Sequence, residues 1–263
     1  MSIPPAASCR QTGGGRYKRV RIMGFRSTLF QFFLPSQCPC CEKFSEEGEQ
    51  GFCSNCLSQI RWIEPPFCSI CGIPFISREI ETHPCGACVT HTRYFTMARA
   101  LGTFEGSLQE AIHRWKYEGK TYLTSFFAEW IAEGLNRYWK PGSLDLLIPV
   151  PLHPLRLRER GFNQALLLVK DLSRRTGIPY RKKILQKRKP TIPQVNLGGV
   201  EREKGVRGTF YVADKKKLRG TSVLLVDDVY TTGATVNECS KVLLGGGAER
   251  VDVLTLAHAI KNS

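Results

Sequence analysis

The sequence has no apolar run long enough to cross a membrane. A membrane-spanning helix needs about 20 predominantly apolar residues, whereas the longest apolar stretch near the amino terminus, 29–34, is interrupted by Gln31 and ends at Pro35. The segment before the first cysteines also lacks the continuous apolar core, about 7 to 15 residues long, of a secretory signal. These two absences predict a soluble protein with no membrane span, located in the cytoplasm.

Acidic residues are scarce compared with basic ones. Asp and Glu number 23 and Lys and Arg number 38, so that the formal net charge is +15. The basic residues cluster at 16–21, 156–160, 181–183, 187–189 and 215–217. Charge of this size favours an anionic partner, although solvated surface charge is the simpler explanation of any single cluster. Four aromatic residues lie among the basic clusters, as in proteins that bind single-stranded DNA by charge and stacking: Tyr17, Phe75, Tyr94 and Trp115.

The chain divides into three regions by its residue pattern. Residues 1–22 have little apolar periodicity, so we expect a disordered basic extension, and Met23 is a candidate for the true translation start. Residues 23–96 contain a cysteine-rich module, and residues 97–263 alternate apolar strands with amphipathic helices. The elements predicted there are strands at 98–104, 146–150, 223–226 and 251–257 and helices at 108–117, 123–138, 163–176 and 235–244. This alternation predicts an open parallel α/β sheet with helices on both faces.

Eight of the eleven cysteines form four C-x-x-C pairs: Cys38 and Cys41, Cys53 and Cys56, Cys68 and Cys71, Cys85 and Cys88. This spacing suits tetrahedral zinc, because two such turns can direct four thiolates at one ion. Disulfides are disfavoured in the cytosol, and a redox C-x-x-C motif would be single. Pairing of neighbours gives two ribbons, although an interleaved arrangement remains open. With four thiolates and no open position, one or two Zn²⁺ ions per chain would be structural.

The remaining cysteines and two histidines are weaker candidates for this chemistry. Cys40 lies inside the first pair and could compete as a ligand, whereas Cys9 and Cys239 are expected to be free thiols. His83 and His91 lie near the last pair, and we expect them to be surface residues rather than ligands.

The most informative segment is 223–235, where an apolar strand leads into Asp227 and Asp228 and then into a Thr- and Gly-rich loop that opens a helix. Backbone amides and hydroxyls of such a loop can bind one phosphate, and the helix amino terminus adds a favourable dipole. Gly233 permits a close approach that a side chain would block. The adjacent carboxylates can accept hydrogen bonds from a vicinal diol. Alternatively, Asp228 could cap the helix, but the whole segment predicts a sugar-phosphate site.

This segment resembles the signature of type I phosphoribosyltransferases, in which an apolar run precedes two acidic residues and a T-T-G-x-T loop. The resemblance implies binding of 5-phosphoribosyl-1-pyrophosphate (PRPP) and assigns Asp227 and Asp228 to the ribose 2′- and 3′-hydroxyls. It assigns the loop to the 5′-phosphate through Thr231, Thr232, Gly233, Ala234 and Thr235.

A second loop follows the predicted strand at 146–150. Loops at the carboxyl ends of strands in an open α/β sheet converge on one crevice, so we expect this loop to face the phosphate loop. By the same resemblance, it binds pyrophosphate through Pro151, Leu152, His153 and Arg156. His153 is equally a ligand contact or a turn residue. The leaving diphosphate could be neutralised by three arginines, which otherwise form a solvated basic patch: Arg156, Arg158 and Arg160.

The combination of motifs resembles the ComF family over most of the chain. The motifs that carry the resemblance, after the cysteine pairs, are Lys116-Tyr117-x-Gly119, Pro149-Val-Pro-Leu152, Arg160-Gly-Phe-Asn-Gln164, Arg188-x-x-Thr191-x-x-Gln194 and Asp227-Asp-Val-x-Thr-Thr-Gly-Ala-Thr235. The resemblance implies a double zinc ribbon preceding a type I phosphoribosyltransferase-like domain. It also implies a link to natural competence, with single-stranded DNA and competence-machinery proteins as partners.

Two functions follow from these motifs. In the first, Mg²⁺ and basic residues bind PRPP, pyrophosphate leaves, and an unknown acceptor attacks the anomeric carbon. The residues expected to carry this chemistry are Asp227, Asp228, Arg156, Arg158 and Arg160. In the second, the protein senses PRPP or handles single-stranded DNA without catalysing transfer.

Overall fold

A computed structural model describes residues 37–44, 51–75, 81–188 and 205–260. The predicted extension 1–22 and the possible start at Met23 therefore lie outside the described residues. The strands of the described residues are β1 (Ala98–Thr103), β2 (Leu146–Pro149), β3 (Leu185–Lys187), β4 (Phe210–Val212), β5 (Ser222–Tyr230) and β6 (Arg250–His258). The helices are α1 (Ser54–Ser58), α2 (Gly86–Thr90), α3 (Gly106–Tyr117), α4 (Leu123–Tyr138), α5 (Pro154–Arg160), α6 (Gln164–Thr176) and α7 (Ala234–Gly245).

The main sheet is parallel throughout. Its strand order is β1-β6-β5-β2, and β3 pairs with β4 in a separate antiparallel hairpin. This arrangement confirms the predicted parallel α/β class. The strands and helices predicted in 97–263 are present, whereas α5, β3 and β4 were not predicted. Helix α5 forms because Pro154 occupies its first turn, His153 caps its start and Gly161 ends it in a left-handed conformation.

Both faces of the sheet are buried. Side chains of one parity, among them Leu224, Val226 and Leu254, pack in one cluster with α3, α4 and α6. Side chains of the other parity, among them Val223 and Leu225, pack in a second cluster with α7 and the β3–β4 hairpin. Burial on both faces explains why the core strands are continuous apolar runs rather than alternating ones.

The cysteine-rich segment passes around the edge of the sheet formed by β1. Between its two halves, residues 61–63 run antiparallel to β1, where the amide of Ile63 donates to the carbonyl of Leu101 at 2.8 Å. Cys38 and Cys56 pack in the cluster of α3 and α4, whereas Cys68 and Cys88 pack in the cluster of α7. The two cysteine sets thus lie on opposite faces of the sheet. The predicted division into 23–96 and 97–263 stays a prediction.

Among the residues that the structure describes, no helix has the length and apolar character needed to span a bilayer.

Candidate functional site

The eight paired cysteines form two sets of four thiols. Cys38, Cys41, Cys53 and Cys56 make one set, and Cys68, Cys71, Cys85 and Cys88 make the other. Within each set, the sulfur atoms all lie within 4.8 Å of one another. Neighbouring pairs are therefore combined, and the interleaved alternative is not what the chain adopts.

The geometry of each set fits a tetrahedral zinc ion. Four thiolates at a Zn–S distance of about 2.3 Å lie about 3.8 Å apart, and the sulfur atoms of Cys41 and Cys53 are separated by 3.8 Å. In the second set, the sulfur atoms of Cys71 and Cys85 are separated by 3.7 Å. The amide of Cys85 donates to the sulfur of Cys68 at 3.2 Å, an interaction that favours the thiolate. With four protein ligands each, both sets suit a structural ion.

The weaker candidates lie outside these sets. The thiol of Cys40 donates to the carbonyl of Ser107 at 3.5 Å, and this bond connects the C-x-x-C turn of Cys38 and Cys41 to the start of α3. Cys239 is buried in α7, where desolvation raises the pKa of its thiol well above the ordinary value. His83 and His91 are exposed, as predicted, and Cys9 lies outside the described residues.

The acidic pair lies on β5 beyond the end of β2. The last paired residue of β2, Pro149, lies opposite Val226, whereas β5 continues alongside β6 as far as Tyr230. The amide of Val150 donates to the carbonyl of Val226 at 3.0 Å, so the loop after β2 starts beside Asp227. The two predicted loops therefore leave the carboxyl ends of the neighbouring parallel strands β2 and β5, which is the expected arrangement.

The two carboxylates meet different elements. Successive side chains of a strand point to opposite faces, and Asp228 accordingly meets α3, where its Oδ1 lies 2.8 Å from the Nζ of Lys116. Both side chains of this ion pair are about 15% exposed. Asp227 instead interacts electrostatically with Lys187 of β3 and Cys239 of α7.

Asp227 is held in an environment that disfavours its charge. Burial, followed by the neighbouring negative charge of Asp228, raises the pKa of Asp227 to about 8, although Lys116 and Lys187 act in the opposite direction. Its Oδ1 accepts a hydrogen bond from the amide of Asp228 at 2.9 Å. Because a cationic ligand or a hydroxyl donor would relieve this cost, the pair is suited to a partner that brings hydrogen-bond donors.

The predicted phosphate loop leads directly into α7. Gly233 has φ of 77° and immediately precedes the helix, and the amide of Ala234 donates to the hydroxyl of Thr232 at 3.4 Å. A Cβ atom on Gly233 would lie 2.1 Å from the hydroxyl of Tyr230, so only glycine fits there. Thr231 is exposed and Thr235 is half-buried at the start of the helix. The loop thus places threonine hydroxyls next to the first amides of α7.

Tyr230 supports the loop from beneath. Its ring stacks on His258 with the centroids 4.5 Å apart, and both side chains are buried. Among the described residues, neither the Tyr230 hydroxyl nor His258 Nε2 has a hydrogen-bond partner. Burial raises the pKa of Tyr230 and lowers the pKa of His258 to about 4, so both are neutral.

The second predicted loop includes α5. His153 caps this helix, since its Nδ1 accepts from the amide of Leu155 at 3.3 Å, and Pro151 and Leu152 are half-buried before it. In a helix, residues four apart share a face and residues two apart do not. Arg156 and Arg160 therefore lie on one side of α5, whereas Arg158 is exposed on the other. The structure does not bring the three arginines together.

Arg160 joins α5 to the end of α3. Its guanidinium lies over the ring of Tyr117 at 4.9 Å and donates to the Tyr117 hydroxyl at 3.1 Å. It also donates to Gln164 at 3.4 Å. Since Tyr117 follows Lys116, one end of α3 reaches both the acidic pair and α5.

The predicted stacking residues are only partly available. Trp115 is completely buried, and its indole donates to Thr124 at 3.1 Å, so its assignment to DNA stacking was wrong. The helix period places Trp115 in the apolar stripe of α3. Tyr94 and Phe75 are half-buried, and Tyr17 lies outside the described residues.

Sequence reasoning assigned no role to several residues of this site. Lys116 and Tyr117 appeared only as part of a family motif, and Tyr230 and His258 lay beyond the predicted strands. The one available signal was a lysine and a tyrosine that end an amphipathic helix immediately before Gly119.

The chain is similar to known proteins over most of its length. Residues 29–89 match the family model of the double zinc ribbon domain. The chain is 31% identical to competence protein F of Haemophilus influenzae over 231 residues, 86% of this chain and 99% of that protein. It is 26% identical to the DNA utilization protein YhgH of Escherichia coli K12 over 86% of this chain and 99% of that protein. It is 27% identical to competence protein ComFC of Bacillus subtilis over 82% of this chain and 88% of that protein.

Solved structures with some likeness include phosphoribosyltransferases. A glutamine PRPP amidotransferase of B. subtilis has a TM-score of 0.35 and 22% identity, covering 51% of this chain and 26% of that one. A purine phosphoribosyltransferase of Pyrococcus horikoshii has a TM-score of 0.33 and 19% identity, covering 53% of this chain and 75% of that one.

Proposed function

Because the chain belongs to the competence protein F family, we propose that it binds PRPP as its magnesium complex, transfers the phosphoribosyl group to an acceptor and serves DNA uptake. The observation that carries the proposal is the convergence of an acidic pair, a phosphate loop and a buried lysine at one edge of a parallel sheet. We place this activity in the cytoplasm, where thiolate zinc sites stay reduced.

The acidic pair and the phosphate loop suit the two ends of a ribose 5-phosphate. Asp227 and Asp228 would accept hydrogen bonds from the 2′- and 3′-hydroxyls, and these donors would offset the cost of burying the charge of Asp227. Thr231 to Thr235 would surround the 5′-phosphate with hydroxyls and backbone amides at the start of α7. Gly233 lets the loop pack closely on Tyr230, because a Cβ atom there would clash with the Tyr230 side chain.

The cations around the pair suit the pyrophosphate. Lys116 lies at the acidic pair, and Arg160 lies at the end of the same helix through Tyr117. Lys187 is influenced by the charges of both Asp227 and Arg156, so these groups share one neighbourhood. In the proposed reaction, the bond between the anomeric carbon and the diphosphate oxygen breaks, and its electron pair leaves with pyrophosphate. The acceptor forms the new bond to that carbon and releases a proton. Charge stabilisation of the leaving pyrophosphate would be the principal contribution of the protein.

Calorimetry with Mg-PRPP tests the binding part of the proposal. The doubly substituted protein Asp227→Asn, Asp228→Asn should bind PRPP about a hundredfold or more weakly, because two charge-assisted hydrogen bonds are lost. The control Asp214→Asn removes an exposed carboxylate that pairs with Lys217 and should bind as the wild type does. Equal affinity in the doubly substituted protein would exclude the ribose assignment.

The transfer part is tested separately. Incubation of the pure protein with Mg-PRPP and a pool of small metabolites should release pyrophosphate only when an acceptor is present. Tight PRPP binding with no pyrophosphate release would favour the second candidate function, a PRPP-sensing or DNA-handling protein without transfer. The names of the relatives, which concern competence and DNA utilization, favour a role in DNA handling under either outcome.

A further inference from the structure

The segment that follows the last zinc ligand is clamped to the first turn of α7. The side chain of Asn237 accepts from the amide of Tyr94 at 2.8 Å and donates to the carbonyl of Thr92 at 3.1 Å. The amide of Asn237 itself donates to the carbonyl of Gly233 at 2.8 Å. One residue therefore holds both the phosphate loop, through its backbone, and the exit of the second cysteine set, through its side chain.

A second connection runs through Tyr230. Arg93 interacts electrostatically with both Cys88 and Tyr230. Phe95 meets the ring of Tyr230 edge-on at 6.3 Å. The hydroxyl of Tyr230 in turn lies directly against Gly233, as the excluded Cβ position shows. Cys88, Phe95 and Tyr230 thus belong to one buried cluster, which reaches the phosphate loop at Gly233.

The first cysteine set is attached to a different element. Glu42, which lies between its ligands, pairs with Arg114 and with Lys120, whose Nζ is 2.7 Å away. Cys40 bonds the carbonyl of Ser107. These contacts reach α3 and, through Lys120, the turn that follows it. Within the parts of the chain that the structure describes, no hydrogen bond or ion pair joins the first set to the phosphate loop or to α7.

We propose that the second zinc site, and not the first, holds the phosphate loop in its binding conformation, with Asn237 and Tyr230 as the positioning residues. The loop contains a left-handed glycine that packs on Tyr230, so its conformation depends on what supports Tyr230 and the start of α7. The consequence for PRPP affinity rests on the function proposed above, whereas the consequence for the loop does not.

Hydrogen exchange of the full-length protein tests the loop directly. Cys85→Ser and Cys53→Ser each remove one partly buried ligand, from the second and the first set respectively. In Cys85→Ser, amides of 231–238 should exchange about tenfold faster or more, because the clamp on α7 is released. In Cys53→Ser, the same amides should exchange at the wild-type rate. Equal acceleration in both variants, or none in Cys85→Ser after loss of one zinc ion, would overturn the inference.

A variant that keeps both zinc ions covers the case in which Cys85→Ser does not fold. Asn237→Ala removes both hydrogen bonds to the 92–94 segment and leaves all eight cysteines in place. It should retain two zinc ions and show the same acceleration of loop exchange. Unchanged exchange in Asn237→Ala would contradict the role of this residue.

Linkage in the wild-type protein gives a closing test. Ribose 5-phosphate at saturation should slow the release of one of the two zinc ions to a chelator by about fivefold or more, since coupling between sites is reciprocal. Binding without any such protection would overturn the coupling. If ribose 5-phosphate and PRPP do not bind at all, the proposed function fails, and the exchange measurements still decide the role of the zinc site.

Discussion

Lys116, at the end of α3, forms an ion pair with Asp228, at the end of β5, with 2.8 Å between Nζ and Oδ1. Both side chains are largely buried, so Lys116 offsets the negative charge of Asp228 at a position with little access to solvent. The pairing makes α3 a part of the candidate site.

Replacement of Lys116 should weaken ligand binding. In Lys116→Met the two carboxylates would lose their nearest neutralising cation, and PRPP, which carries several negative charges, should bind about tenfold more weakly or worse. The matched control is Lys120→Met, which removes a lysine that lies in the turn after α3 and pairs with the exposed carboxylate of Glu42. Calorimetry should find the control within about twofold of the wild type. Equal losses in the two variants would argue against a specific role for Lys116.

The stability of the protein should fall as the pH rises through the titration of Asp227. The folded-state pKa of this carboxyl is raised from 3.8 to about 8, so its contribution to stability is fully present below pH 4 and is lost as the pH rises to about 8. Asp227→Asn keeps the acceptor for the amide of Asp228 and removes the charge. The variant should therefore be more stable than the wild type at pH 9, by about 1 to 3 kcal/mol, and similar to it at pH 4.

Thermal unfolding at the two pH values checks this prediction. Asp214→Asn serves as the control, because Lys217 lowers the pKa of that exposed carboxyl and its removal should bring no gain at pH 9. A wild-type protein that is as stable as Asp227→Asn at pH 9 would show that Asp227 ionises without cost.

His258 should make the protein sensitive to acid. Burial lowers its folded-state pKa from 6.5 to about 4, so the stability that it supports is complete above pH 6.5 and is lost as the pH falls toward 4. The loss should reach about 3 kcal/mol. In His258→Phe, which keeps the stacking on Tyr230 and cannot titrate, this part of the acid sensitivity should be absent. Unfolding curves between pH 7 and 4 that run parallel for both proteins would contradict the prediction.

Elemental analysis should find two zinc ions per chain. The two sets of four thiols each fit one ion, and Cys53→Ser should lose one of them and destabilise the amino-terminal segment. The second ion should remain, because the second set lies on the other face of the sheet. A folded wild-type protein that contains no metal would disprove structural zinc.

Single-stranded DNA should bind weakly, without sequence preference, and in a salt-dependent manner. Lys215, Lys216 and Lys217 are exposed, and each phosphate that is neutralised should contribute about −0.7 to the slope of log affinity against log salt. Substitution of all three lysines by glutamine should make the slope shallower and leave PRPP affinity unchanged. Fluorescence titrations at several salt concentrations measure the slope. Absence of binding at low salt would indicate that the basic clusters are ordinary solvated surface charge and do not bind DNA.

The sequence by itself determined the features that depend on residues close in the chain. The C-x-x-C turns fold locally, so their spacing identified all eight thiols of the two sets. The apolar runs at 223–226 and 251–257 identified the central strands, because burial on both faces requires such runs. The strand, the two acidic residues and the glycine before α7 were predictable for the same reason, since they occupy consecutive positions, and the binding of phosphate there stays a prediction.

The tertiary structure alone decided which distant residues meet. The strand order places β2 and β6 on either side of β5, and that order brings the loop after Pro149 beside Asp227. Lys116 reaches Asp228 because α3 packs on the face toward which that carboxylate points. Likewise, the path of the chain around β1 decides that the second zinc site, rather than the first, lies behind the phosphate loop. Such contacts join segments far apart in the chain and depend on packing of whole elements, which no local pattern of residues encodes.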